Sequence, residues 1–163
     1  MLAYLNHGHA LRSLGRNADA TKQFEQVLRI EPENFDANYN AGIALQAIAK
    51  RAESLKYFEM AVKLQPENGG VHYGLAWIMA TAPEDKLRDG KRAIKHARRA
   101  VELIKDNPFM FDALAAAHAE VEEFAKAVKW QQQAIKVAAG KNDSAFKKRL
   151  ERYKQQLPYR QSK

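Results

Sequence analysis

The side chains able to carry acid–base or metal chemistry are few, and their spacing does not suit it. The five histidines are His7, His9, His72, His96 and His118. His7 and His9 stand two apart, which on a helix points them to different faces, whereas a helix-borne metal pair needs residues four apart. His118 falls at a packing position of a helix, where an imidazole is expected as a hydrogen-bonded interior or boundary residue. Glu120, Glu122 and Glu123 cluster in one turn, and their expected role is solvation and helix capping, not paired-carboxylate catalysis. Gly69-Gly70 lacks both the further glycines and the preceding strand of a phosphate-cradling loop. Cysteine is absent, which removes thiolate metal sites, disulfides and cysteine nucleophiles. The expectation is a chain that is not an enzyme, with no catalytic residue, no cofactor and no metal.

Binding chemistry is better represented. The formal net charge is +8, and it is unevenly spread. Residues 1–68 carry eight basic and eight acidic side chains, residues 69–107 eight and five, and residues 108–163 eleven and six. Two basic sets stand out in the C-terminal half: Lys91, Arg92, Lys95, Arg98 and Arg99, then Lys147, Lys148, Arg149, Arg152 and Lys154. Such sets can meet an acidic protein, a lipid surface or nucleic acid, or can simply be solvated helix faces, which is the reading preferred here. No zinc-finger, RRM or GXXG signature accompanies them.

The elements that must position these side chains are helices. In residues 35–68, Ala41, Gly42 and Leu45 recur at helical spacing, a turn-like break follows near Ala49 to Arg51, and Leu55, Phe58, Ala61 and Val62 mark a second helix that ends at Leu64 before Pro66. This is a helix hairpin, and it repeats. A shift of 34 residues lays Gly42 on Gly8, Leu45 on Leu11, Phe58 on Phe24, Pro66 on Pro32 and Asn68 on Asn34. Gly8 and Ala20 are small where two helices approach closely, and Phe24 fills the space they leave. Gly15 suits the end of the first helix by tolerating left-handed dihedrals, a role with no glycine in the second repeat. Asn17 or Asp19 is expected to cap the second helix.

A third unit places its first helix over about Val71 to Ala80 and the second around Ala93, Ala97, Ala100 and Val101. Ser54 and Ala93 are 39 residues apart, so five extra residues enter the stretch from Thr81 to Asp89. There Pro83 is expected to end one helix, Asp89 to cap the next and Leu87 to fold back onto apolar neighbours. A fourth unit returns to register, with a first helix from Phe109 to Ala119 and Gly140 ending the second. Asn142 or Asp143 can then cap a last helix over about 144–157, on which Phe146, Leu150, Tyr153 and Leu157 share one face and which Pro158 ends. This amphipathic helix is expected to cap the array, followed by a mobile tail from Tyr159 to Lys163.

With 46% hydrophobic and 28% charged residues, the chain is too apolar for a disordered segment and lacks an 18-residue apolar run, so a soluble protein is expected. The N-terminus has no basic start, continuous apolar segment or small-residue cleavage site, and does not read as a signal peptide. Compartment stays open, with the cytoplasm preferred if the natural chain starts at Met1.

On the 34-residue recurrence of Gly8/Gly42, Leu11/Leu45, Phe24/Phe58, Pro32/Pro66 and Asn34/Asn68, the chain resembles the tetratricopeptide-repeat family, and its long third unit resembles bacterial members of it. The resemblance implies an all-α fold, a right-handed solenoid of antiparallel helix hairpins (an alpha-alpha superhelix) with a C-terminal capping helix. It implies one array over residues 1–157, with repeats at 1–34, 35–68, 69–107 and 108–141, and a tail at 158–163. It further implies a protein-interaction scaffold whose concave groove, lined by the first helix of each hairpin, binds an extended or helical segment of a partner. Carried onto this sequence, the groove positions of interest are Asn6, His9 and Arg12, then Tyr39, Asn40 and Ile43, then Tyr73 and Trp77. Asn6 and Asn40 are one period apart, and an amide offers donors and an acceptor to a peptide backbone. Trp77 has a second reading, as a core residue wedged between repeats. Two other functions stay open: a self-assembling scaffold, hence a homo-oligomer, and a helical repeat that binds RNA or an acidic surface through its basic half.

Overall fold

The computed structural model describes residues 1–140 and 143–162. Among these residues the chain is all helical: nine α-helices, one short 3-10 turn and no strand. The expected cap Asn142 lies outside the described residues. Among the described residues no helix is long and apolar enough to cross a membrane.

The chain divides into two compact units, Met1–Glu67 and Asn68–Lys163. The first holds α1 (Leu2–Ser13), α2 (Asn17–Ile30), α3 (Phe35–Ala47) and α4 (Arg51–Leu64). Here α1 packs on α2, α2 on α3, α3 on α4, and α1 also meets α3. Its core is Leu11, Ala20, Phe24, Val27, Ala37, Ala41 and Ala44, with Leu5, Leu28 and Tyr57 packed against it. The expected close approach is there: a Cβ built on Gly8 would lie 2.6 Å from the Phe24 ring, and one on Gly42 would lie 2.8 Å from the Phe58 ring. Ser54, in the place of Ala20, donates its hydroxyl to the Gly42 carbonyl at 2.7 Å, so a buried polar atom is paired without widening the hairpin.

The second unit holds α5 (Gly69–Thr81), a 3-10 turn (Asp85–Leu87), α6 (Gly90–Leu103), α7 (Pro108–Glu120), α8 (Phe124–Ala138) and α9 (Ser144–Lys154). Here α5 packs on α6 and α7, α6 on α7, α7 on α8, and α8 on α9. The extra residues of the third repeat form the loop between α5 and α6, where Asp89 caps α6 by accepting the Arg92 amide at 3.0 Å. Asn34, Asn68 and Asn107 cap α3, α5 and α7 in the same way, each side chain accepting a backbone amide of the first turn. By contrast α2 starts at Asn17 with no side-chain cap, and Asp19 instead pairs with Arg16 and Lys22.

Three of the first helices end alike. The amides of Arg16, Lys50 and Glu123 reach back to the carbonyls of Leu11, Leu45 and His118, while the residue before each takes a left-handed conformation: Gly15 at φ 74°, Ala49 at 59° and Glu122 at 61°. This is the Schellman arrangement, and it prefers glycine because a side chain in this region crowds its own backbone. Only the first repeat has the glycine, yet the turn survives without it because the two backbone bonds and the following helix hold it in place. Replacing Ala49 by Gly is therefore expected to stabilise the chain by about 0.5–1 kcal/mol, read as a higher urea midpoint at unchanged slope. An unchanged or lower midpoint would show that the turn imposes no strain.

The last helix departs from expectation. It ends at Lys154, not near 157, through a fourth turn of the same kind in which Gln156 sits at φ 57° and the Leu157 amide bonds the Arg152 carbonyl at 2.9 Å. Leu157 is left 46% exposed, so the packed face of α9 is Phe146 and Tyr153, both buried, with Arg149 and Leu150 half-buried, and Pro158 lies beyond the turn that ends the helix.

Candidate functional site

In the first unit the expected groove residues lie on α1 and α3. Asn6 is exposed, while His9, Arg12, Tyr39 and Ile43 are half-buried and Asn40 is buried. His9 stands edge-on to the Phe24 ring with centroids 5.5 Å apart. Tyr39 stacks on Phe35 at 5.7 Å and leans on Phe58 at 6.2 Å, so its ring braces α3 against α4 as well as facing outward. Burial pushes its hydroxyl pKa up while the nearby Arg12 charge pulls it down. Asn40 donates one amide hydrogen to the Asp36 carbonyl of its own helix at 2.8 Å, which leaves its oxygen and second hydrogen for other partners. The Arg12 Nε is buried and has no hydrogen-bond partner among the described residues.

In the second unit Tyr73 and Trp77 stack with centroids 6.2 Å apart and an interplanar angle of 20°. They meet the chain's own C-terminal residues. The Tyr159 ring lies 5.9 Å from Trp77, and the Arg149 guanidinium of α9 sits 5.4 Å from the Trp77 ring, 5.4 Å from Phe146 and 5.2 Å from Tyr159. Three rings thus surround one cation, whose charge their faces attract. Arg149 also forks onto Asp112 of α7, with Nε to Oδ1 at 2.7 Å and Nη2 to Oδ2 at 2.8 Å, and Gln131 of α8 donates to the same Oδ1 at 2.8 Å. Asp112 is 1% exposed. Burial pushes its carboxyl pKa up, against the pull of Arg149 and the Gln131 hydrogen bond. The Tyr73 hydroxyl is pushed up to about 12, first by burial and then by the Asp112 charge, with Arg149 opposing.

Two expectations about charge are corrected here. Arg149, grouped above with solvated or acid-binding bases, is committed to a buried carboxylate. Glu120, grouped with a solvated acidic cluster, has a side chain only 13% exposed and lies between Arg88 at 2.9 Å and Arg160 at 2.6 Å. Arg88 was not singled out in the sequence, since a lone arginine in an insertion has no periodic signal. It nevertheless ties the α5–α6 loop down, donating to the Ala82 carbonyl at 2.9 Å as well as to Glu120. The remaining members of the acidic cluster divide. Glu122 forms the left-handed turn, and Glu123 pairs with Lys126 at 2.8 Å and with the Nδ1 of His118 at 2.6 Å. His118 is interior as expected, 1% exposed, with its pKa lowered by burial against the pull of Glu123.

The tail is also not as expected. Tyr159, Arg160 and Gln161 are half-buried, and the Gln161 amide donates to the Thr81 carbonyl at 2.8 Å. The basic set of α6 is mostly exposed, with Arg99 paired to Glu102 at 2.8 Å. Among the described residues no group of three or more His, Asp or Glu side chains could hold a metal ion.

Comparison with known proteins agrees with this architecture. Residues 8–48 match the family model described as TPR repeat. No curated protein sequence matches the chain. Among solved structures, YrrB, described as a TPR protein with an unusual peptide-binding site, superposes with a TM-score of 0.72 at 22% identity, covering 94% of this chain and 80% of that one. A MamA fragment from Desulfovibrio magneticus RS-1 gives 0.74 at 18% identity, covering 94% and 87%. PilW, described as a type IV pilus biogenesis factor, gives 0.76 at 15% identity, covering 94% and 68%. At these identities the likeness is one of fold. The sequence match to the tetratricopeptide-repeat model is confined to residues 8–48, and along nearly the whole chain the helix-hairpin fold is like that of solved tetratricopeptide-repeat proteins.

Proposed function

We propose that the chain is a non-catalytic scaffold that holds a non-globular segment of another protein against the α1–α3 face of its first unit, through Asn6, His9, Arg12, Tyr39, Asn40 and Ile43. The observation that supports this reading is the Arg12 Nε, buried with no hydrogen-bond partner among the described residues, on a guanidinium whose charge is felt at the Tyr39 hydroxyl. An unpaired buried donor on a charged group is costly, and a carbonyl or carboxylate supplied by a bound segment removes that cost. The half-buried Tyr39 and Ile43 supply apolar area around it, and the free oxygen of Asn40 supplies an acceptor for a backbone amide. The basic α6 face is not needed for this reading.

The test begins with proteins retained from the native host by the wild-type chain, followed by titration calorimetry with the segment mapped in the retained protein. Arg12→Ala and Ile43→Glu are each expected to weaken that segment by about 1–3 kcal/mol, at least fivefold, with melting temperatures close to wild type. The pair Arg92→Gln and Arg99→Gln is expected to leave it unchanged. Equal affinity in all four variants would remove the α1–α3 face from consideration. Loss of binding only in the α6 variants, with a steep salt dependence, would favour an electrostatic ligand instead.

A further inference from the structure

The last described residues of the chain do not trail into solvent. Arg152 of α9 donates to the Pro158 carbonyl at 3.1 Å, and three residues later the Gln161 amide donates to the Thr81 carbonyl at 2.8 Å. Both ends of a four-residue stretch outside any helix are therefore held by their backbone. Between these anchors each side chain has its own receptor. Tyr159 lies against Trp77 and under the Arg149 guanidinium. Arg160 forms an ion pair with Glu120 at 2.6 Å, a carboxylate already oriented by Arg88. It also points toward the last carbonyls of α5, reaching Ala80 at 3.5 Å, where the helix dipole favours a cation. Gln161 donates its side-chain amide to the Thr81 hydroxyl at 2.6 Å, and that hydroxyl is turned to accept because it donates to the Trp77 carbonyl.

An aromatic ring on an aromatic shelf, a guanidinium on a buried-edge carboxylate and a backbone amide on a helix-end carbonyl are the components of peptide recognition. Alternation of the three also specifies an order: aromatic, then arginine, then a polar residue. We propose that the α5–α7 face of the second unit is a receptor for a non-helical protein segment in which an aromatic residue is followed directly by arginine, and that Tyr159-Arg160-Gln161 is its resident competitor. The proposal rests on reading first-helix faces as peptide-holding surfaces, and concerns a face separate from the α1–α3 one. Only the short stretch from Gln155 to Pro158 separates the competitor from α9, so its effective concentration is high and an incoming segment must outcompete it. A partner carrying the same chemistry over a longer contact does so; one lacking the arginine leaves Glu120 and Arg88 to the tail.

The test uses the full chain and a fluorescein-labelled, N-acetylated peptide of residues 157–162, Leu-Pro-Tyr-Arg-Gln-Ser, with a second peptide in which glutamate replaces the arginine. Fluorescence anisotropy is read for wild type and for the double variant Tyr159→Ala, Arg160→Ala, after circular dichroism has shown the variant folded. The double variant is expected to bind the arginine peptide at least tenfold more tightly than wild type, and the glutamate peptide at least tenfold more weakly than the arginine one. No binding to the folded variant, equal binding by variant and wild type, or equal binding of the two peptides overturns the proposal. Should the variant unfold, hydrogen exchange at the Gln161 amide of wild type decides: the arginine peptide must accelerate it and the glutamate peptide must not. Arg12→Ala introduced alongside leaves these results unchanged if the two faces act separately. A failure here with intact Arg12-dependent binding rejects this receptor alone, and the reverse rejects the α1–α3 reading alone.

Discussion

Truncating Arg149 to alanine is expected to destabilise the protein by about 3–5 kcal/mol, because it strands Asp112 in the interior. The carboxylate is 1% exposed, and two of its hydrogen bonds come from the lost guanidinium, leaving, among the described residues, the Gln131 amide. Arg149 also fills the space between Trp77, Phe146 and Tyr159, so its removal takes packing as well as charge. The pH dependence separates the two parts. Without its cation, Asp112 is expected to have a folded-state pKa well above its unfolded value, since burial already pushes it up with Arg149 present. A carboxyl raised in this way destabilises the fold fully above its folded pKa and progressively less as pH falls toward the unfolded value. The stability gap between Arg149→Ala and wild type should therefore narrow on acidification from neutral pH. Tyr153→Phe is the control: its hydroxyl is buried without a hydrogen-bond partner among the described residues, so removing it should change stability by less than about 0.5 kcal/mol or raise it. A gap constant with pH would assign the loss to packing alone, and a loss below about 1 kcal/mol would show that the pair is not a structural anchor.

What could be read in the sequence was whatever repeats locally. Gly8 with Phe24 and Gly42 with Phe58 recur because the two hairpins of the first unit solve the same close-approach problem in the same way, and Asn34 and Asn68 recur because α3 and α5 have their first-turn amides capped at the same place. The loop from Thr81 to Asp89 was legible as a break in that recurrence. Contacts made once, over long separations, left no such trace. Arg149 and Asp112 are 37 residues apart, and Arg88 and Glu120 are 32 apart; each looks like an ordinary helix-surface or loop charge until the helices pack. The docked tail was illegible for a related reason. Tyr159-Arg160-Gln161 follows a proline, has no period of its own, and owes its position to Thr81 and Glu120, which are far away in the chain. Tyr73 and Trp77 are groove residues by the family resemblance alone, and the sequence does not reveal that Tyr159 and Arg149 of the same chain pack against Trp77. The early end of α9 escaped notice because Gln156, unlike a glycine, does not announce a left-handed residue.

Phe58→Ala should cost about 3–5 kcal/mol, since a fully buried ring is replaced by a methyl group in a close-packed hairpin. The partner side of the contact supplies a sharper test. A methyl group at residue 42 would lie 2.8 Å from two carbons of the Phe58 ring, too near for either to stay in place. Gly42→Ala is thus expected to cost about 1–3 kcal/mol from overpacking, less up to about 1 kcal/mol from the better helix propensity of alanine. In the double variant the clash disappears and the new methyl occupies part of the vacated space, so its cost should fall below that of Phe58→Ala alone. The positions one unit further on give a reason to expect this: Ala76 lies 34 residues after Gly42 and Ala97 lies 39 after Phe58, matching the longer third repeat, and both are fully buried. The second unit thus uses two small residues where the first uses a glycine and a ring. Urea unfolding of the four proteins yields the coupling energy directly. Strict additivity would mean that the ring moves aside at little cost and that the glycine is not there to accommodate it.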